Sequence, residues 1–331
     1  MWNTGEENMI TTVVGNYPKI PNFPRPAVLK NAIQRFDDGK ISIGELKRIE
    51  DQVTAEVIKE QVDAGVDVIT DGQIRWDDEV TYLARGLGGF EINGLARFFD
   101  TNTYYRRPIA KNKIKFNEPV TVKDYIFAAK NSNVPVKAVI TGPYSTAKLS
   151  KDEHYNNFEK FALDVAHALR EEVVALKNAG ASHLQINEPS IVRNKKDYPI
   201  FESAINELLD GVDIKATLCT YFGDAEGLLD KMLDLPIDTI GLDFVMGKKN
   251  FALLKKVDFT KSLGMGIVDA RNTRLESKVE LQKDIERVLE FVKSDKLFIN
   301  PNCGLDFLPR EIAFTKLKNM VDIVKSIKGG V

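Results

Sequence analysis

Two cysteines and two acids stand where an α/β protein could place chemistry. Cys219, Cys303, Asp243 and Glu188 each lie at or just after a short apolar run. Two thiolates and a carboxylate form a suitable three-ligand set for Zn²⁺, with the fourth position open to a substrate. The alternative is a pair of buried thiols, which behave as small hydrophobic groups, and an aspartate that caps the core. The residue types leave both interpretations open.

Glu188 is also a candidate for proton transfer. It lies in an Asn-Glu-Pro sequence at the end of a predicted strand. Burial at such a position would raise the pKa of its carboxyl into the range that general acid-base catalysis needs. An ion pair with a neighbouring Lys or Arg is the alternative. We take Glu188 and Asp243 as the candidate catalytic residues.

The elements that must position these residues follow from the hydrophobic pattern. Short apolar runs alternate with longer stretches of helical periodicity from residue 11 to the end of the chain, which is typical of a parallel sheet. Eight strands are predicted, over residues 11–14, 67–70, 136–141, 183–186, 213–218, 239–242, 266–268 and 297–299. Eight strand-helix units favour an α/β fold of the (β/α)8 or TIM barrel type over an open doubly wound sheet.

Helix starts and one insertion complete this organisation. Capping-box spacing marks four helix starts, at Ser42 with Glu45, Thr121 with Asp124, Ser150 with Glu153, and Ser277 with Glu280. Residues 80–117 contain an Asn-Gly pair and paired aromatics, which predicts a hairpin or long loop inserted after the second strand. The chain has no linker-like segment and no internal repeat, so one domain is predicted over residues 1–331.

In such a barrel the functional residues lie at the carboxyl ends of the strands. Every predicted strand is followed by polar residues or residues with special backbone geometry, at positions 15–18, 71–73, 141–144, 187–189, 219, 243, 269–271 and 300–304. The candidate metal ligands and the candidate acid all belong to this set. The barrel mouth is therefore the predicted site.

Composition excludes several classes of protein. The chain has 331 residues, of which 43% are hydrophobic and 28% charged, so it can form a packed core. A formal charge of −2 without blocks of like charge excludes a nucleic-acid partner, and no apolar run approaches the roughly 18 residues of a membrane span. The first residues, MWNTGEENMI, lack the basic and apolar regions of a signal peptide, so a cytoplasmic location is expected.

Eight segments in order resemble the cobalamin-independent methionine synthase family: TTVVGNYP, DGQIRWDD, ITGPYS, QINEPS, LCTYFGD, GLDFV, GIVDARN and NPNCGL. The resemblance covers nearly the whole chain and implies a (β/α)8 barrel. It also implies a zinc-dependent methyltransferase that moves a methyl group from methylfolate or a methylcorrinoid donor to homocysteine, forming methionine. Zinc lowers the pKa of the acceptor thiol, which yields a nucleophile at neutral pH. The full-length enzymes have two barrels, and this chain has the length of one.

The resemblance implies a metal site with one member missing. Its zinc ligands correspond to Cys219, Asp243 and Cys303. Thr217 stands where the family has a histidine, and the acid at 243 is Asp where the family usually has Glu. The segments TYFGDAEGLLDKML, GLDFV and VDARN are more similar to the non-catalytic amino-terminal barrel of the long enzymes. Because the two cysteines and the aspartate are kept, the hypothesis is that zinc binds through these three ligands.

The implied substrate site has also changed. The family holds the ammonium group of its amino acid with two acids, which align with Gln73 and Asn187, and Asn16 replaces a serine in the same pocket. Loss of each charged partner weakens a hydrogen bond to the ammonium by roughly 1.5–3 kcal/mol. Lys19 and Arg25 are further candidates, because they could bind donor carboxylates or phosphates. These five residues are the predicted substrate-binding set.

Three interpretations of function stay open. The first is methyl transfer to homocysteine, and the second is alkyl transfer to another thiol, such as a coenzyme M-like acceptor without an ammonium group. The third is a metal-free, non-catalytic paralogue that acts as partner subunit of a catalytic barrel. The insertion adds one more alternative, because its aromatic cluster could stack on a pterin or corrinoid, although a small satellite core is the favoured interpretation. The cluster consists of Phe98, Phe99, Tyr104 and Tyr105.

Overall fold

The structure, a computed structural model, describes residues 9–328. Its strands are β1 (Ile10–Thr11), β2 (Gly88–Ile92), β3 (Ala96–Arg97), β4 (Tyr104–Tyr105), β5 (Pro108–Lys115), β6 (Ala138–Thr141), β7 (Lys151–Asp152), β8 (His183–Asn187), β9 (Lys215–Cys219), β10 (Thr239–Asp243), β11 (Ser262–Val268) and β12 (Leu297–Pro301). Its helices are α1 (Val28–Asp37), α2 (Ile43–Asp63), α3 (Thr81–Gly86), α4 (Val122–Lys130), α5 (Pro143–Leu149), α6 (Phe158–Asn178), α7 (Tyr198–Leu209), α8 (Leu229–Met232), α9 (Asn250–Leu254), α10 (Lys278–Leu289) and α11 (Arg310–Lys328).

The chain divides into two compact units that interleave along the sequence. Unit 1 comprises Met1–Arg75, Ile126–Val136 and Leu242–Val331, and unit 2 comprises Trp76–Tyr125 and Lys137–Gly241. The chain passes from unit 2 to unit 1 within β10. The single domain over residues 1–331 stays a prediction.

Unit 1 contains parallel strands from both ends of the chain. β1 pairs with β12, and β12 pairs with β11. The second predicted strand is reduced to two parallel bridges, from Thr12 to Val68 and from Ile69 to Val136. Helices α2 and α11 pack together, and α11 also contacts β12. The sequences of these strands are nearly continuous apolar runs, as expected for parallel strands that are buried on both faces.

Unit 2 contains the middle strands in the parallel order β6, β8, β9, β10. The register places Asn187 of β8 opposite Thr141 of β6 and Cys219 of β9, so the carboxyl ends of these strands are level. Helix α6 packs between α5 and α7 and also contacts β5. All eight predicted strand segments therefore have parallel partners within their own unit.

The predicted insertion is present in unit 2. β2 and β5 pair in antiparallel fashion, and β3 pairs with β4 between them, as expected for a hairpin over residues 80–117. Two features were not expected: helix α3 precedes the hairpin, and β7 adds a parallel strand to β5. Both features depend on packing rather than on a local sequence signal.

The predicted helix starts have mixed outcomes. Ser42 caps α2 through its side chain, and Ser277 forms a complete capping box with Glu280 at α10. The start predicted at Ser150 is wrong, because Ser150 ends α5 and the chain enters β7. Helix α6 begins later, with Asn157 as its cap. Within residues 9–328, no helix is both long and apolar enough to span a membrane.

Candidate functional site

Two long-range backbone hydrogen bonds join the segments that follow three predicted strands of unit 1. The backbone N–H of Tyr17 donates to the carbonyl of Gly72 at 2.9 Å, and the N–H of Leu305 donates to the carbonyl of Asn16 at 2.9 Å. The segment after the first strand is therefore held between the segments after the second and eighth strands. The side chain of Asn16 lies within this group, half-buried.

Gln73 is the most unusual residue of this group. Its side chain is buried, and neither its amide oxygen nor its amide nitrogen has a hydrogen-bond partner among the described residues. Its φ of 51° lies in the left-handed region that favours glycine. A Cβ atom at Gly15 would lie 2.9 Å from the Gln73 amide oxygen, so a larger residue there would displace this amide. The Gln73 amide could therefore bind a ligand without giving up a hydrogen bond among the described residues, and its role in substrate binding stays a prediction.

Two buried carboxyls belong to the same unit. One oxygen of Asp71 and one oxygen of Asp306 have no hydrogen-bond partner among the described residues. Burial raises the pKa of Asp71, and it raises the pKa of Asp306 to about 6. The Lys19 ammonium lowers both pKa values, and a hydrogen bond from Asn16 also lowers that of Asp306. Asp71 and Asp306 were not singled out from the sequence, although both follow predicted strands.

Lys19 and Arg25 have different surroundings. Lys19 is half-buried and acts electrostatically on the two carboxyls just described. Arg25 is paired with acids of unit 1, at 3.1 Å from Glu60 and 3.5 Å from Glu311. Binding of an anion by Arg25 would have to compete with these carboxylates, so its role in substrate binding stays a prediction.

Asp243 uses both carboxylate oxygens within unit 1. Oδ1 accepts hydrogen bonds from the backbone N–H groups of Val245 at 2.9 Å and Met246 at 2.8 Å. Oδ2 accepts from the side-chain amide of Asn302 at 3.2 Å. The sulfur of Cys303 is fully buried and lies 3.8 Å from the amide oxygen of Asn302. Asp243 therefore acts as a cap for the turn after β10.

The predicted zinc ligands are not found as a formed metal cluster. Cys219 ends β9 in unit 2, whereas Asp243 and Cys303 belong to unit 1. In the part of the chain that is described, no group of three or more His, Cys, Asp and Glu side chains is arranged to hold a metal ion. The hydrogen bonds that Asp243 accepts do not exclude zinc, because a carboxylate has about four lone-pair sites and metal-ligating carboxylates are commonly hydrogen-bonded as well. Zinc binding stays a prediction from the resemblance.

Glu188 is fully buried in unit 2 at the start of α5. Its carboxylate accepts hydrogen bonds from the backbone N–H groups of Tyr144 at 2.9 Å and Ser145 at 2.8 Å. Burial raises the pKa of Glu188 to about 8, although hydrogen bonds from Ser145 and Tyr144 act in the opposite direction. A Cβ atom at Gly142 would lie 2.2 Å from a Glu188 oxygen, so only glycine fits. The carboxylate thus fixes the turn between β6 and α5, and its catalytic role stays a prediction.

Asn187 is the end of a buried hydrogen-bond chain in unit 2. The Lys137 ammonium donates to the amide oxygen of Gln185 at 2.6 Å, and the amide nitrogen of Gln185 donates to the amide oxygen of Asn187 at 2.8 Å. Burial lowers the pKa of Lys137 to about 7, and Cys219 acts in the opposite direction. Lys137 was missed in the sequence. Its signal was a lysine inside an apolar strand, PVKAVITG.

Glu79 is a second residue that the sequence did not single out. Its side chain is buried, and its carboxylate accepts a hydrogen bond from the hydroxyl of Tyr221 at 2.6 Å. The hydroxyl of Thr141 donates to the backbone carbonyl of Glu79. Glu79 thus connects the start of the insertion to the ends of β6 and β9.

The aromatic residues of the insertion form a packed cluster. Phe98 and Tyr105 are buried, and the Phe98 ring lies 4.8 Å from Phe99, 6.2 Å from Tyr105 and 6.2 Å from Phe222. Tyr104 points outward and is 61% exposed. Edge-to-face contacts of this kind stabilise a small core. The geometry supports the satellite-core interpretation over a stacking wall for a pterin or corrinoid.

Comparison with known sequences identifies similar proteins over nearly the whole chain. A sequence model described as "Cobalamin-independent synthase, Catalytic domain" matches residues 9–326. The chain is 36% identical over 320 residues to a methionine synthase from Saccharolobus solfataricus, with 96% of this chain and 94% of that protein covered. It is 35% identical over 324 residues to a methionine synthase from Sulfurisphaera tokodaii, with 96% and 92% covered.

Solved structures show the same fold. A B12-independent methionine synthase from Shewanella sp. W3-18-1, in complex with selenomethionine, gives a TM-score of 0.84 at 21% identity and covers 97% of this chain and 98% of that chain. A putative vitamin-B12 independent methionine synthase from Listeria monocytogenes gives a TM-score of 0.77 at 21% identity and covers 97% and 99%. The predicted (β/α)8 fold class and the predicted family resemblance are both confirmed.

Proposed function

Because this chain belongs to the family of cobalamin-independent methionine synthases, we propose that it is a methyltransferase that methylates the sulfur of homocysteine and so forms methionine. The observation that carries the proposal is the family match over residues 9–326, with relatives of nearly the same length. In the reaction an S–CH₃ bond forms and the bond from the methyl group to its donor breaks. The electron pair of that bond stays with the donor, and the thiol proton must leave the acceptor.

Unit 1 offers polar atoms that a substrate can use. Gln73, Asp71 and Asp306 have atoms that can accept hydrogen bonds without giving up a partner in the protein. Binding a ligand there repays the desolvation cost that these groups carry in the empty protein. Asn16 forms a hydrogen bond with Asp306, and the Lys19 ammonium acts on both carboxyls; with Gln73 and Arg25 they are the predicted substrate-binding residues of this unit.

The methyl donor is proposed as methylfolate or a methylcorrinoid protein, the two donors that the resemblance implies. Zinc is part of the same family expectation, with Cys219, Asp243 and Cys303 as ligands. Both cysteines are buried and neither forms a disulfide, which suits a reducing compartment, so the cytoplasm is the proposed location. Small molecules are the proposed partners, with a second barrel subunit as an alternative.

A methylation assay tests the proposal. Purified protein is given homocysteine with methylcobalamin or 5-methyltetrahydrofolate, with and without added zinc, and methionine is measured by mass spectrometry. A parallel reaction with 2-mercaptoethanesulfonate tests the coenzyme M-like alternative, which the amides at Gln73 and Asn187 favour. If the thiol of 2-mercaptoethanesulfonate is methylated and that of homocysteine is not, the coenzyme M-like compound becomes the proposed acceptor. No methylated product and no methionine binding would contradict the proposal.

A second candidate function is the non-catalytic partner of a catalytic barrel. It is favoured by Thr217, which stands where the resemblance implies a histidine ligand for zinc. Elemental mass spectrometry of untagged protein separates the candidates. About one zinc per chain, lost in Cys219→Ser, supports the zinc enzyme. No zinc after loading supports the partner subunit, and co-purification with a second barrel would then be sought.

A further inference from the structure

The hydrogen-bond chain in unit 2 has a direction. The Lys137 side chain has N–H donors in both its protonated and its neutral form, and it donates to the amide oxygen of Gln185 at 2.6 Å. The amide nitrogen of Gln185 then faces Asn187 and donates to its Oδ1 at 2.8 Å. The orientation of both amides follows from the lysine. The amide oxygen of Asn187 thus faces Gln185, and its amide nitrogen, which can only donate, faces away from Gln185.

That nitrogen lies at the carboxyl end of β8. The backbone carbonyl of Asn187 accepts from the N–H of Gly142 at 2.8 Å, so the backbone oxygen is already used. Among residues 9–328, no hydrogen bond to the Asn187 amide nitrogen is found. Strand register places Asn187 opposite Thr141 and Cys219, at the edge where barrel enzymes bind their substrates.

A donor at this position has the opposite polarity to the acid that the family resemblance implies. An acid accepts hydrogen bonds and attracts an ammonium group, whereas an amide N–H₂ attracts an anion. The change from Asp to Asn alone would allow either amide orientation. Lys137 and Gln185 remove that freedom, because turning the Asn187 amide would bring two N–H₂ groups face to face.

We propose that Asn187 donates a hydrogen bond to the carboxylate of the thiol substrate, and that Lys137 and Gln185 hold it in this polarity. This inference rests on the proposed function and adds to it the substrate group that Asn187 recognises. Asn187 is then a specificity residue for an anionic acceptor, and Lys137 and Gln185 are positioning residues.

Binding of three related ligands tests the inference without any metal or methyl donor. The ligands are L-methionine, 4-(methylsulfanyl)butanoate, which lacks the ammonium, and 3-(methylsulfanyl)propylamine, which lacks the carboxylate. Calorimetric titration of the full chain should show that loss of the carboxylate weakens binding by about tenfold or more, the range of a hydrogen bond to a charged group. Loss of the ammonium should weaken binding less.

Two isosteric variants should reverse this preference. Asn187→Asp places a carboxylate where the donor was, so the butanoate should bind about tenfold more weakly and the propylamine more tightly. In Gln185→Glu the new carboxylate accepts from Lys137 and also from Asn187, which turns the Asn187 oxygen outward and shifts preference in the same direction. Asn206→Asp adds the same charge at an exposed position of α7 and should leave the affinities for both the butanoate and the propylamine unchanged.

The outcomes separate the two levels of the argument. If the wild type binds methionine but prefers the propylamine, or if folded Asn187→Asp keeps the wild-type preference, the inference is overturned while the proposed function stands. If the wild type binds none of the three ligands, the proposed function fails and the inference fails with it. Circular dichroism checks that each variant folds. If Gln185→Glu does not fold, the ligand preference of Asn187→Asp tests the inference by itself.

Discussion

Two buried side chains at strand ends, Glu188 in unit 2 and Gln73 in unit 1, differ in their hydrogen bonding. In unit 2, Glu188 has a hydrogen-bond partner for each carboxylate oxygen, and Gln185 and Asn187 are joined to Lys137. In unit 1, Gln73 leaves its whole amide unpaired. A satisfied network stabilises one conformation, whereas an unsatisfied group costs free energy until a ligand completes it. The partners of Glu188 hold its side chain in one position, whereas the Gln73 amide, which has no partner among the described residues, is available to a ligand.

The largest expected effect is that of a substitution at Gly142, which would disrupt the hydrogen bonds of Glu188. In Gly142→Ala the new methyl group would meet Glu188 at 2.2 Å and displace its carboxylate from the backbone of α5. We expect a loss of about 2–3 kcal/mol in the free energy of unfolding, the cost of overpacking a buried site. Urea denaturation measures it.

Gly44→Ala is the matched control. Gly44 is an exposed residue of α2, and its Cβ would meet nothing closer than 3.7 Å. Alanine there should stabilise the protein by about 0.5–1 kcal/mol, because glycine is unfavourable inside a helix. Equal effects of the two substitutions would contradict the steric argument at Gly142.

A smaller effect is expected for Glu188→Gln. The glutamine N–H₂ would face a backbone N–H in place of a carboxyl oxygen. We expect the free energy of unfolding to fall by about 1–3 kcal/mol at pH 5, where the wild-type carboxyl is neutral. The substitution also tests the pH dependence. With a folded pKa of about 8 against an ordinary 4.5, folded Glu188 keeps a proton that the unfolded chain releases.

The sign of that pH dependence follows from proton linkage. Between these two pKa values the folded state binds more protons, so the free energy of unfolding falls as the pH rises from about 4.5 to about 8. Glu188→Gln removes this contribution, and its stability should fall less over the same range. Urea midpoints at several pH values measure both slopes. A variant with the wild-type slope would show that Glu188 does not titrate in this range.

The smallest effect on stability is expected for a substitution of Gln73, whose amide has no partner among the described residues. Gln73→Leu removes an amide without breaking any hydrogen bond among the described residues, so the free energy of unfolding should change by less than about 1 kcal/mol. Methionine binding should weaken, since the amide is a predicted substrate contact. A calorimetric titration checks this. A large loss of stability with unchanged methionine affinity would reverse the assignment of Gln73.

Local patterns were enough for much of the fold. The apolar runs at 183–186 and 297–299 lie inside β8 and β12, and Ser277 caps α10 as its spacing predicted. The spacing at Ser150 was misleading, because the same Ser-x-x-Glu pattern also suits a residue that ends a helix and enters a strand. Short-range signals report propensity, and packing decides where two outcomes are available.

The sequence by itself determined the family, the order of the strands and the change of acids to amides at Gln73 and Asn187. Tertiary structure alone decided the hydrogen bonding of those amides. The direction of the Asn187 amide depends on Lys137, 50 positions earlier, through Gln185, and the glycine at 142 is required by Glu188. Hydrogen-bond polarity and steric fit arise between residues that only folding brings together, so no local pattern encodes them.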